Sequence, residues 1–518
     1  MNKLESIAKK SVKGGLYLLF GNILSLILMA LASIIIARLL GPEKYGLYSL
    51  TLVAPSIIIS IINLGLPVAV TRYASLYRSE KRVGDALRIA DIGLKFRLVM
   101  SLVGLITSLL LSDTFALMIN RPEASLYIKI ASIVILGNMM FTVVQNICLG
   151  FDKMKYASIN MIIQATVKFI LTPILILFGL QVVGAIAGHV LSYIIATIVG
   201  ILLIYQKIFR VNDDSNIEFL DGLKIMFSYS IPLYLSTLIN SMTMQYNNIV
   251  QSWFASDFQI GNFKVASNFL SLLTVLIMPI SSTLFPAFSK FNIDRDRNDL
   301  VEFLTYSLKY TCIVLMPATV LVIVLSREIV YLVYGSRYSL SPLYLSIYGL
   351  SYLYTSISIV LVSFLNGIGK TKIILYGNLL GAIITIPLTY LLAYIYNIIG
   401  VIISILTVNL IICIYYINTA KRICGINIDL KTISKILSTS IISAIPIIFI
   451  KNYISNIYLS IAVCGATYLA TYLTISPIIK IIDKNDLKRI NTFIKDLKII
   501  YPIVQMLIRY EEKIIEIL

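Results

Sequence analysis

A chain of 518 residues that is 58% hydrophobic and only 13% charged, with a mean hydropathy of +0.90, carries more apolar surface than a soluble core can hide. Those values describe a polytopic membrane protein. The formal charge of +18 does not point to nucleic acid, because the basic residues form no single patch and instead alternate with the apolar runs. Five cysteines, Cys148, Cys312, Cys413, Cys424 and Cys464, are odd in number and lack metal-ligand spacing, so neither disulfide, metal nor cofactor is expected.

The first apolar run, about Leu16 to Leu40, is too long for a signal-peptide core and reads as an uncleaved first span. Runs long enough to cross a bilayer begin near residues 15, 46, 97, 125, 156, 182, 225, 262, 306, 342, 373, 398, 433 and 455, which predicts an all-α integral membrane fold of about fourteen helices. An even number puts both chain ends on one side. The segments on that side carry 34 of the 43 Lys and Arg residues and the opposite segments eight, which marks the termini as cytoplasmic in a cell membrane. Lys168 alone lies within the apolar runs. No connecting loop is long enough to fold by itself. Beyond Ser476, Leu487, Ile490, Ile494, Leu497, Tyr501, Val504 and Ile508 recur at helical spacing among lysines, which predicts an amphipathic tail over 477–518 on the cytoplasmic membrane face.

The chain also resembles itself. Leu149–Lys155 (LGFDKMK) returns as Asn366–Lys372 (NGIGKTK), and Gly84–Phe96 returns as Asn298–Tyr310. Val183-Gly184-Ala185 returns as Ile399-Gly400-Val401, and Gly46-Leu47-Tyr48 as Gly261-Asn262-Phe263. The offsets all lie between 214 and 217, so the repeat spans six helices, roughly residues 1–210 and 220–420, followed by two further helices over 430–476. An even-numbered repeat leaves both copies in the same orientation in the membrane, as two lobes facing a central cavity.

The junction after the first span reads ARLLGPEKYGLYSL, Ala37 to Leu50. This resembles the polysaccharide-transporter (Wzx-type) flippases of the multidrug/oligosaccharidyl-lipid/polysaccharide exporter superfamily, and the similarity extends to the fourteen spans, the six-plus-six duplication and the Gly-plus-lysine turn after span four. The resemblance implies a transporter rather than an enzyme. It would flip a polyprenyl-(di)phosphate-linked oligosaccharide from the cytoplasmic to the outer leaflet by alternating access, as a monomer, with glycan polymerases or transferases as partners.

Such a substrate has an anionic phosphate, a hydroxyl-rich glycan and an apolar tail. For the phosphate, Lys168 and His189 are the deep candidates: each lies ~13–18 Å along its helix from the turn near Leu180, where a cation costs several kcal/mol unless it faces water, a partner or an anion. Arg38, Arg72 and Arg97 lie nearer span ends, where snorkelling also accounts for them. For the glycan, span seven offers a polar stripe of Thr237, Asn240, Ser241 and Asn248, with Asn22 of span one as its weaker counterpart. Interhelical hydrogen bonding would use the same residues. At the repeat offset, Lys168 projects onto Ile384 and His189 onto Ile405, while Arg38, Arg72 and Arg97 project onto Trp253, Ala287 and Thr311. An anion site would therefore belong to the first repeat alone.

Two rival readings exist. A cation-coupled multidrug exporter of the same superfamily would want carboxylates deep in the spans, and all 25 acidic residues fall in loops, tails or span ends. A membrane-embedded glycan-assembly enzyme would want a catalytic constellation on a long outer loop or a soluble domain, which the sequence lacks.

Overall fold

In hydrocarbon, every backbone polar group must be satisfied within its own segment, so apolar runs of this length fold as helices. Glycines and prolines bend these helices in mid-course. The computed structural model describes residues 3–210, 215–292, 295–425, 429–483, 486, 487, 491, 505, 506, 508–512 and 514. Among them there is no strand. The helices are α1 (Lys3–Thr51), α2 (Val53–Ile62), α3 (Leu66–Ser79), α4 (Val83–Leu110), α5 (Ser112–Met118), α6 (Ser125–Ser132), α7 (Val134–Gly150), α8 (Met154–Leu175), α9 (Gln181–Lys207), α10 (Phe219–Phe254), α11 (Asp257–Ser271), α12 (Thr274–Phe288), α13 (Arg297–Val324), α14 (Ser326–Val333), α15 (Ser341–Gly367), α16 (Thr371–Cys424), α17 (Leu430–Ile442), α18 (Ile445–Ile450) and α19 (Ile457–Ile478).

Among the described residues, eight helical segments are long and apolar enough to cross a membrane, or ten when two bent pairs are each taken as one span. The fourteen expected are not reached on that criterion. Three of the eight segments run 49 to 54 residues, which at ~1.5 Å per residue is more than twice the hydrocarbon thickness. Each contains a backbone break: Gly41 (φ 74°) in α1, Gly179 and Gln181 (φ 88° and 45°) between α8 and α9, and Asn397 (φ 52°) in α16. The predicted turn near Leu180 is thus the α8–α9 break.

Two compact units result. The first comprises residues 1–268 with 382–401, the second residues 269–381 with 402–518. Leu66, Val70, Ala90, Val143 and Ile147 are among the residues that fill the core of the first. That of the second includes Phe288, Leu304, Cys312, Phe364, Cys413 and Tyr416. Ile490, Ile494, Leu497, Tyr501 and Val504 of the expected amphipathic tail lie outside the described residues. Leu487 and Ile508 are described, and both are buried in the second unit's core.

Candidate functional site

The first unit brings Lys168 and His189 together. Lys168 projects from the middle of α8 and His189 from the third turn of α9, and the reversal at Gly179–Gln181 folds the two helices side by side. Gly188 allows this approach, since a Cβ there would collide with Thr172 of α8. Both side chains are half-buried, and they lie within electrostatic range of each other.

A second lysine joins them, and it comes from the second repeat, so the basic groups are not confined to the first as expected. Lys264, half-buried on α11, lies within electrostatic range of Lys168. A span beginning near residue 262, as expected from the sequence, would leave Lys264 at its mouth. In the structure α11 starts five residues earlier, so Lys264 sits ~10 Å into the helix. The missed signal was a capping box: the Ser256 backbone N–H donates to Gln259 Oε1 at 3.1 Å, and the Gln259 N–H donates to Ser256 Oγ at 3.4 Å. Among the described residues, neither Lys168 nor Lys264 has an ion pair or a side-chain hydrogen bond.

Aromatic and hydroxyl groups surround the cations. His189 lies edge-on to Tyr48 (centroids 6.5 Å apart) and Tyr193 (5.4 Å), and Tyr45 adjoins Tyr48 at 6.0 Å. Tyr193 is hydrogen-bonded with Asn138. Asn268 Nδ2 donates to Tyr45 Oη at 2.8 Å and to Ser33 Oγ at 3.0 Å, and those two hydroxyls are 2.9 Å apart. His189 Nδ1 is buried with no hydrogen-bond partner among the described residues. A polar atom in that condition leaves its desolvation cost uncompensated, so the pocket has bonding capacity to spare. In chemical terms the site is two lysines, an imidazole and hydroxyl donors with no acidic partner among the described residues, which suits an anion.

The other predicted residues lie elsewhere. Arg38 is exposed on α1 and, five residues beyond Ser33, faces ~140° away from it. Arg72 is exposed and lies over the Tyr229 ring, 4.0 Å from its centroid. Arg97 is 2% exposed and donates to Met139 O (3.2 Å), Asn63 O (3.0 Å) and Thr142 Oγ1 (3.2 Å), tying α4 to α7 and to the end of α2. On α10, Thr237 and Asn240 are exposed, Ser241 is half-buried, and Asn248 Nδ2 donates to Gln245 Oε1 at 3.1 Å. The Thr237 hydroxyl returns to its own helix at Tyr234 O. Asn22 is half-buried on α1.

Comparison with known proteins gives a consistent result. Residues 11–292 match the family described as polysaccharide biosynthesis protein, and residues 232–391 match the MatE family. An uncharacterized membrane protein of Methanocaldococcus jannaschii is 23% identical over 90% of this chain and 95% of its own. A putative O-antigen transporter of Shigella dysenteriae is 26% identical over 56% of this chain and 72% of its own. Among solved structures, the lipid II flippase MurJ in an inward closed conformation superposes with a TM-score of 0.71 at 16% identity, covering 92% of this chain and 98% of that one.

Proposed function

The chain belongs to the polysaccharide biosynthesis protein family, and on that premise we propose that it is a membrane transporter of the multidrug/oligosaccharidyl-lipid/polysaccharide superfamily that flips a polyprenyl-(di)phosphate-linked oligosaccharide from the cytoplasmic to the outer leaflet. The observation that carries this reading is the meeting of Lys168, His189 and Lys264 within one unit with no acidic partner among the described residues. Unpaired cations at that depth cost free energy in every state that lacks an anion, and a phosphate or diphosphate removes the cost. Tyr45, Tyr48, Tyr193 and Asn268 then serve the sugar nearest the phosphate, with ring faces for its C–H edges and polar groups for its hydroxyls. The polar stripe of Thr237, Asn240, Ser241 and Asn248, with Asn22, serves sugars further out.

The named relatives support this substrate class, one being a putative O-antigen transporter and one structural neighbour a lipid II flippase. The Lys and Arg asymmetry sets the termini in the cytoplasm, and the six-plus-six repeat supplies the two lobes of an alternating-access carrier. Glycan polymerases or transferases would act on the product once it has crossed.

Reconstitution in liposomes with a fluorescent polyprenyl-diphosphate oligosaccharide tests the reading. The wild type is expected to move the lipid between leaflets, and Lys168→Ala to slow that movement about tenfold or more. Export of cationic dyes with no movement of the lipid would reject the function. Normal movement by Lys168→Ala would reject the site.

A further inference from the structure

The LGPEKYG motif lies outside the cationic site, yet the structure gives it a specific neighbour. Its Gly46 is packed so closely on α11 that a Cβ there would collide with Asp257 O, and a Cβ on Gly261 would collide with Pro42 O. Pro42 and Asp257 are repeat equivalents at an offset of 215, and so are Gly46 and Gly261. The contact is therefore reciprocal: each repeat's glycine meets the other repeat's helix start, as in a self-complementary two-fold contact. Only glycines on both sides allow backbones this near.

An arginine closes over the same point. α5 ends with Asn120 in the left-handed region (φ 55°), where the Arg121 N–H donates back to Ala116 O at 2.9 Å, and this C-cap aims the Arg121 side chain at the α10–α11 corner. Its Nε donates to Asp257 Oδ1 at 2.9 Å, Nη2 to Ala255 O at 3.0 Å and Nη1 to Ser252 O at 3.4 Å. One guanidinium thus caps the last carbonyls of α10 and pairs with the first acid of α11. Glu43 of the motif and Glu123 lie within electrostatic range of Asp257. Trp253 Nε1 donates to Met118 O at 2.6 Å across the same corner.

We infer that Arg121 is a positioning residue of the transport cycle, which holds the Gly46–Gly261 contact closed and must release Asp257 and the α10 carbonyls for that end to open. The inference rests on the proposed transport function, because only a carrier has to part this contact. Its ion pair is partly exposed and its backbone bonds are few, so the clasp is weak enough to be broken and re-formed.

The test is labelling of a cysteine placed at Asn262, which is fully buried beside Gly261, in a background free of native cysteines. In proteoliposomes, a membrane-impermeant maleimide is expected to label Asn262→Cys slowly in the parent and about tenfold faster when Arg121→Ala is added. Gly46→Val should raise the rate by a separate route, by wedging the backbones apart. Ala196→Cys, buried inside α9, should stay slow in both. Unchanged labelling at residue 262 on adding Arg121→Ala would overturn the inference, whatever Gly46→Val does, and so would a rise at residue 196 in step with it, because that reports unfolding. A wild type that still flips lipid in either of those cases would leave the transport reading intact.

Discussion

Two half-buried lysines, one in each unit, meet opposite fates. In the first unit Lys168 has another cation, Lys264, for a neighbour and no acidic partner among the described residues. In the second, Lys309 Nζ donates to Asp486 Oδ2 at 2.6 Å, with Tyr310 Oη donating to Oδ1 of the same carboxylate at 2.8 Å. Burial alone would raise the Asp486 carboxyl, but the bonds from Lys309, the Asp483 N–H and Tyr310 hold it below its ordinary value. A paired charge of this kind is part of the fold. An unpaired cluster is stable only at a cost, and a ligand of opposite charge removes that cost.

The comparison breaks if removing the unpaired lysines destabilises the chain. Replacing Lys168 and Lys264 together by methionine is expected to cut lipid translocation by about 100-fold, while the melting temperature in detergent holds or rises, since two uncompensated cations leave the interior. A second change separates the units in the opposite sense. Asp486→Ala strands Lys309 and should cost about 2 kcal/mol of stability, measurable as a lowered melting temperature, with Lys168-dependent transport retained in the folded fraction. The third and smallest effect concerns Glu511, whose carboxyl is 4% exposed and accepts from Ser476 Oγ at 3.1 Å. Burial pushes it up from 4.5 to about 7, with the Ser476 bond lowering it and Asp486 raising it. The carboxyl is more basic in the docked tail than in a free one, so docking takes up a proton. Tail docking is therefore strongest below about pH 4.5 and weakens as pH rises through about 7. Hydrogen-exchange protection across residues 508–512, taken relative to the intrinsic base-catalysed rate at each pH, should fall over that window in the wild type and hold constant in Glu511→Gln.

Lys168 and His189 were legible in the sequence because a lysine inside an apolar run is expensive wherever the helix points, and because their distances from one turn can be counted. Lys264 was not, although the Ser256–Gln259 capping box that moves its helix start is written in the chain. An error of five residues in that start shifts a lysine by more than a helical turn, from the rim to the interior. Tyr45, Tyr48 and Tyr193 gave no signal, being three of the chain's 33 tyrosines. Arg97 was read as a span-end arginine that could face the phosphate or snorkel, and its position in the sequence could not show that Asn63 O and Met139 O stood ready to receive it.

By itself the sequence determined what acts locally. Apolar length sets helices across a bilayer, Gly41, Gly179 and Asn397 break them, and the repeat offset pairs Gly46 with Gly261 as equivalents. Only the tertiary structure decided which equivalents and which cations meet. That choice depends on the rotation of each helix about its own axis, where a phase error of ~100° per residue turns a site-lining side chain away, and the phase is set by packing against neighbours distant in the chain.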